Sequence, residues 1–193
     1  MFTQQSSKVR QAGNTVDGGG SIVAGNQTND KHYHFHSPVN SELFELYEKM
    51  ADGSGELCSD FCEQLNHYLS VQNETDVRGL DAKLSESNRA YLLIPAKEMK
   101  EKAYKEVMRT QTSRTAQRIF VIILDRIYTN FLMTITPLIQ EGNENSVIDK
   151  ETNELINSIY ESLGSNLLKL TQRDLLGLLF FLGGNCHIRW DKC

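Results

Sequence analysis

Three histidines, His32, His34 and His36, alternate with Tyr33 and Phe35. On a strand this alternation sends all three imidazoles to one face, and neutral imidazole is a good ligand for zinc, nickel or copper. Side chains spaced along one strand do not converge easily on a single ion, however. The simpler reading is a strand whose Tyr33/Phe35 face packs and whose histidine face meets solvent or a partner. Four cysteines follow, Cys58, Cys62, Cys186 and Cys193. On a helix Cys58 and Cys62 stand one turn apart on a shared face, and with Cys186 and His187 they would make a Cys-Cys-Cys-His zinc set. Their Cys-x-x-x-Cys spacing is weak evidence for a metal. Cysteine is among the most commonly buried residues, so core packing is the default and no cofactor is expected.

The third candidate is a charged stretch. Lys97, Lys100, Lys102, Lys105, Arg109, Arg114 and Arg118 face three glutamates across 97–118. Such a stretch can touch phosphates, but aromatics for base stacking are nearly absent from it, and a solvated helix face with salt-paired neighbours is the plainer reading. The formal net charge of −5 argues against generic affinity for nucleic acid or anionic membranes. No nucleophile elbow, Walker loop, dinucleotide fingerprint or His-Glu-x-x-His occurs. Gly18, Gly19 and Gly20 lack the Lys-Ser/Thr and helix start of a phosphate cradle. No residue is a candidate for catalysis, and the chain is not expected to be an enzyme.

The elements that position these groups are mostly helices. The stretch 113–139 carries Ala116, Phe120, Ile123, Ile127, Phe131, Ile135 and Leu138 at steps of three and four, which is a helical period. Ile119 to Leu124 is apolar on every side, so this helix has neighbours around much of its circumference. A membrane span is the rival reading, but Asp125, Arg126 and Asn130 fall in its middle and would each be costly in hydrocarbon. Pro137 is expected to bend or end the helix.

Around this centre the spacing predicts a helix from Asn40 or Ser41 carrying Leu43, Phe44, Tyr47 and Met50, and a second with Leu57, Phe61, Leu65, Tyr68 and Leu69. Gly79–Leu84 makes a short helix, and a longer one runs over roughly 95–110 with Pro95 in its first turn. That helix presents Ala96, Met99, Ala103 and Val107, with Glu98/Lys102 and Glu101/Lys105 as supporting pairs. Ser146 with Asp149 resembles a cap pair for a helix bearing Leu155, Ile156, Ile159, Tyr160 and Leu163. Thr171 and Asp174 cap the last helix, whose stripe is Leu175, Leu178, Leu179 and Leu182 and whose stop is Gly183-Gly184. Beyond it, Ile188 and Trp190 anchor a short extended run, with a strand possible at Cys186–Trp190. The expected fold is therefore all-α: a single helical bundle around a central buried helix over 38–193. A flexible Gly/Asn-rich tail, 1–37, precedes it. The tail holds a short β segment, Ser21–Ala24 with Lys31–His36. Two strands are marginal alone, so the same segment of another subunit is a natural partner and the tail an oligomerisation element.

The phrases Arg78-Gly79-Leu80-Asp81-Ala82-Lys83-Leu84, Ala116-Gln117-Arg118-Ile119-Phe120, Ile135-Thr136-Pro137-Leu138-Ile139 and Leu182-Gly183-Gly184-Asn185-Cys186-His187-Ile188-Arg189-Trp190 are similar to the small helical C-terminal domains of bacterial ABC-three component systems. Gly20-Ser21-Ile22-Val23-Ala24-Gly25-Asn26 also resembles β segments that precede domains in bacterial conflict proteins. The resemblance implies an antiphage conflict system, with a middle component and an SMC-like ABC ATPase as partners and no catalytic residues to carry over. Such domains usually follow an effector, often a nuclease or protease; the first 40 residues here cannot hold one. The chain is thus expected to be a non-catalytic adaptor that docks an effector, middle component or ABC ATPase. It self-associates through its tail and is placed in the cytoplasm, since the N-terminus lacks an apolar signal segment. His32, His34, His36, Asn185, His187 and Trp190 are its expected interaction residues. The alternative is a metal- or nucleic-acid-binding sensor module.

Overall fold

The central helix begins where the Ser113 hydroxyl turns back to accept the Ala116 N–H at 3.2 Å. This satisfies one of the N–H groups that every helix start leaves open. In the computed structural model, which describes residues 41–71 and 78–191, α5 (Arg114–Asn130) runs on from Ser113 as the axis of the bundle. The expected β segment, its three histidines and Cys193 lie outside the described residues. Four helices precede α5: α1 (Ser41–Ala51), α2 (Glu63–Leu69), α3 (Leu80–Glu86) and, after a 3-10 turn at Ala90–Leu92, α4 (Leu93–Met108). A π-helical turn (Phe131–Ile135) and α6 (Thr136–Glu141) extend α5 without a break, and α7 (Asn145–Ser162) and α8 (Gln172–Gly184) complete the order.

Helices α1, α2, α7 and α8 all pack on α5, and α4 pairs with α8. Ile119, Ile123, Leu124 and Ile127 are 0% exposed, as the all-round apolar run requires. Each such side chain contributes about 1.5–3 kcal/mol by leaving water. The continuous helix Arg114–Glu141 is long and apolar enough to cross a bilayer. Within the bundle its mid-helix charges are answered: Asp125 accepts from the Tyr68 hydroxyl, and Arg126 donates to Ser162 Oγ at 2.6 Å. Gly177 sets the α4–α8 approach, since a Cβ there would lie 2.6 Å from the Met99 carbonyl oxygen. The described residues thus form the all-α bundle around a buried central helix that the periodicity predicts. Their β pairing is one isolated bridge, Leu57 to Ser113.

Several local expectations are corrected. Pro137 does not end the helix; the π turn before it widens the backbone, with the Thr136 N–H reaching the Phe131 carbonyl, and makes room for a ring that cannot donate. Residues 57–62 are not helical, so Cys58 and Cys62 share no helix face. The reason is Gln117, fully buried on α5. A buried amide must be satisfied, and the segment wraps it: its Oε1 accepts the Cys62 N–H at 2.8 Å, and its Nε2 donates to Asp60 O at 3.0 Å and Cys58 Sγ at 3.2 Å.

Ser146 and Asp149 do not cap α7, because Asp149 turns to Arg89. Lys105 pairs with Glu101 at 2.7 Å as expected, but Lys102 leaves Glu98 for Asp174 at 2.6 Å. There Asp174 also completes the predicted capping box with Thr171. Gly183 and Gly184 lie inside α8 rather than stopping it. The stop is Cys186, left-handed at φ 64°, with the His187 N–H bonded to Leu182 O at 2.9 Å and the Cys186 N–H to Gly183 O at 3.4 Å. No strand forms at Cys186–Trp190.

Candidate functional site

The chain after α8 is latched onto the bundle by buried polar groups. Lys83, 2% exposed, is carried inward by the apolar face of α3, between Leu80 and Leu84. Its Nζ donates to Gly183 O at 2.7 Å and Ile188 O at 3.2 Å, tying both sides of the α8 stop. Burial pushes its ammonium below the ordinary lysine range. Asn185 Nδ2 donates to Tyr68 O at 2.9 Å, and His187 Nε2 donates to the same carbonyl at 3.3 Å. Burial, then the neighbouring His67 ring, holds the His187 imidazole below the ordinary histidine range. Asp191 closes the latch, bound to Arg78 at 2.9 Å and Arg189 at 2.6 Å.

Trp190 is the apolar counterpart. It is 5% exposed and lies against Phe131 and Phe180 at ring-centroid distances of 5.7 and 5.8 Å. Gly183 admits it, because a Cβ at that position would stand 2.5 Å from the indole. Trp190 and Phe180 also line a cleft of about 350 Å³ between the 3-10 turn, α4, α7 and α8. Leu92, Met99, Ile156, Leu176, Leu179 and Phe180 share that apolar wall. Its polar part includes Arg89, Tyr91, Asp149, Thr152, Asn153 and Arg173. Arg89 is 1% exposed; its Nε donates to Asp149 Oδ1 at 2.9 Å and its Nη1 to Ser87 O at 3.2 Å. Its Nη2 stands 2.8 Å from the same Oδ1 but has no aligned hydrogen-bond acceptor. The Tyr91 hydroxyl donates to Asp149 Oδ2 at 3.3 Å.

The four candidate zinc ligands are not brought together. Cys58 and Cys62 surround Gln117 at the start of α2, whereas His187 touches Tyr68 near its end, about 10 Å along a helix of this length. Cys186 turns its thiol toward Arg78 O at 3.7 Å. Among the described residues no group of three metal-ligating side chains converges. Asn185 and Trp190, expected at an interface, are buried anchors; His187 is half-buried against α2. The basic stretch is largely spent on ion pairs, Lys97 with Asp81, Lys102 with Asp174, Lys105 with Glu101, Arg109 with Glu106 and Arg118 with Glu42. Residue types alone did not single out Lys83, Arg89, Asp149 as an ion-pair partner, or Arg173.

The latch is built from the phrase that closes the sequence resemblance, and α3 supplies its lysine from the phrase that opens it. No curated protein and no solved structure matches the chain. A family model does match, from Gly79 at the start of α3 to the latch tryptophan, residues 79–190 and more than half of the chain. The chain belongs to the family of C-terminal domain 9 of the ABC-three component systems.

Proposed function

We propose that this component of an ABC-three component system is a non-catalytic adaptor in bacterial antiphage defence, acting in the cytoplasm. It docks an effector, middle component or ABC ATPase through its helical domain, 38–193, and self-associates through residues 1–37. The observation that carries this reading is the contrast at Trp190. The polar groups of the latch are bonded within the fold, while the cleft combines open apolar space with guanidinium charge. An apolar wall with a few polar groups at its rim is the composition of a binding cleft. The sensor alternative is weakened by the salt-paired basic stretch and the separated cysteines.

Co-expression of the full chain with the proteins encoded beside it tests the adaptor role. A complex of defined stoichiometry in native mass spectrometry is expected; a chain that stays alone with every neighbour overturns the reading. In the same instrument, removing residues 1–37 is expected to lower the subunit number while the helical circular dichroism persists. Unchanged subunit number removes the tail's role.

A further inference from the structure

The cleft has more definite chemistry than a generic apolar groove. Two guanidiniums and one carboxylate line it, giving it a positive balance on a chain whose formal net charge is −5. Asp149 already accepts from Arg89 and Tyr91, so its charge is engaged. Arg89 is likewise spent on Asp149, with Nε at 2.9 Å and Nη2 at 2.8 Å from Oδ1, so the balance of the cleft rests on Arg173. Arg173, in the first turn of α8, is exposed and has no ion-pair partner among the described residues. A cation at a helix N-terminus is unfavourable there, since the macrodipole prefers an anion. Below these charges lies an apolar wall with volume near the small end of ligand sites, roughly 300–1,000 Å³. That is room for one large apolar side chain.

We infer that the cleft receives a large apolar side chain of a partner protein, presented on a segment with carboxylates beside it. The apolar group seats against Trp190, Met99 and Leu176. An adjacent carboxylate meets Arg173 at the rim, where guanidinium–carboxylate pairing adds orientation as well as attraction. The inference rests on the adaptor reading for the identity of the occupant as protein. Its chemistry is independent of that reading.

Trp190 is the single tryptophan of the chain, so its emission reports occupation of the cleft. The full chain is titrated with acetyl-Asp-Phe-Asp-amide, acetyl-Lys-Phe-Lys-amide and acetyl-Asp-Ala-Asp-amide. A saturable change is expected with the first peptide and not with the other two. Arg173→Glu is expected to weaken the acidic peptide at least tenfold and to favour the basic one. That variant places an anion at a helix start and keeps the fold, which a thermal melt verifies. Equal response to acidic and basic peptides, no saturable response, or indifference to Arg173→Glu overturns the inference. The two readings separate cleanly. Peptide binding without co-purification of any neighbouring protein sinks the adaptor role and leaves the cleft standing. Co-purification that survives Arg173→Glu does the reverse.

Discussion

The latch and the cleft, which meet at Trp190, are made of similar residue types and are arranged differently. In the latch, Lys83, Asn185, His187 and Asp191 each find partners inside the molecule, and Gly183 is cut away to let the ring close. In the cleft, Arg89 is spent on Asp149, whereas Arg173 is exposed beside open apolar space and has no ion-pair partner among the described residues. A buried polar group left unbonded is costly, so a fold resolves such groups wherever only stability is at issue. The latch therefore reads as architecture, and the cleft with its exposed Arg173 is the face that the proposed docking would use.

Substitutions in the latch are expected to act on stability and those at the cleft on binding. The largest expected effect is Trp190→Ala, which empties the space between Phe131 and Phe180 and should lower unfolding free energy by about 3–5 kcal/mol in a urea titration. A much smaller loss would mean the latch is loosely closed. Next comes Lys83→Met, which keeps the stem but removes the donor shared by Gly183 O and Ile188 O. A loss of roughly 2–3 kcal/mol is expected from the same measurement, by the usual value of a charged hydrogen bond.

The pH dependence of the latch is a finer probe. His187 lies against His67, Tyr68 and Lys83, and its imidazole is held below its unfolded value. Between the folded value and about 6.5 the unfolded chain binds more protons, so stability rises with pH in that window. The domain is thus expected to keep this contribution above pH of about 6.5 and to lose it as the pH falls through the folded value. His187→Gln should flatten the fall in melting temperature on mild acidification; an unchanged slope would assign it to another group.

The helices were legible because periodicity and caps are local signals. The Thr171/Asp174 box and the stripe Leu175, Leu178, Leu179 and Leu182 lie where spacing puts them. Lys83 was legible in principle, since Leu80, Lys83 and Leu84 recur at i, i+3 and i+4 and so place a lysine on an apolar face. The misreadings came from distant residues. Cys58 and Cys62 share a helix face only if no buried amide captures their backbone, and Gln117, on another element, does so. Gly183-Gly184 looks like a helix stop, but the pressure on Gly183 comes from Trp190 folding back over it, and the left-handed residue is Cys186. The cleft left no local pattern, because Arg89, Asp149 and Arg173 meet only through the packing of the 3-10 turn, α7 and α8.

The smallest expected change in stability carries the most weight. Arg173→Glu should stay within about 0.5 kcal/mol of the parent, as exposed substitutions usually do. The decisive measurement is the amount of partner recovered when the full-length Arg173→Glu chain is co-expressed with the proteins encoded beside it. Loss of the partner with an unchanged melting temperature is the predicted result. Undiminished recovery would contradict the assignment of the cleft to binding.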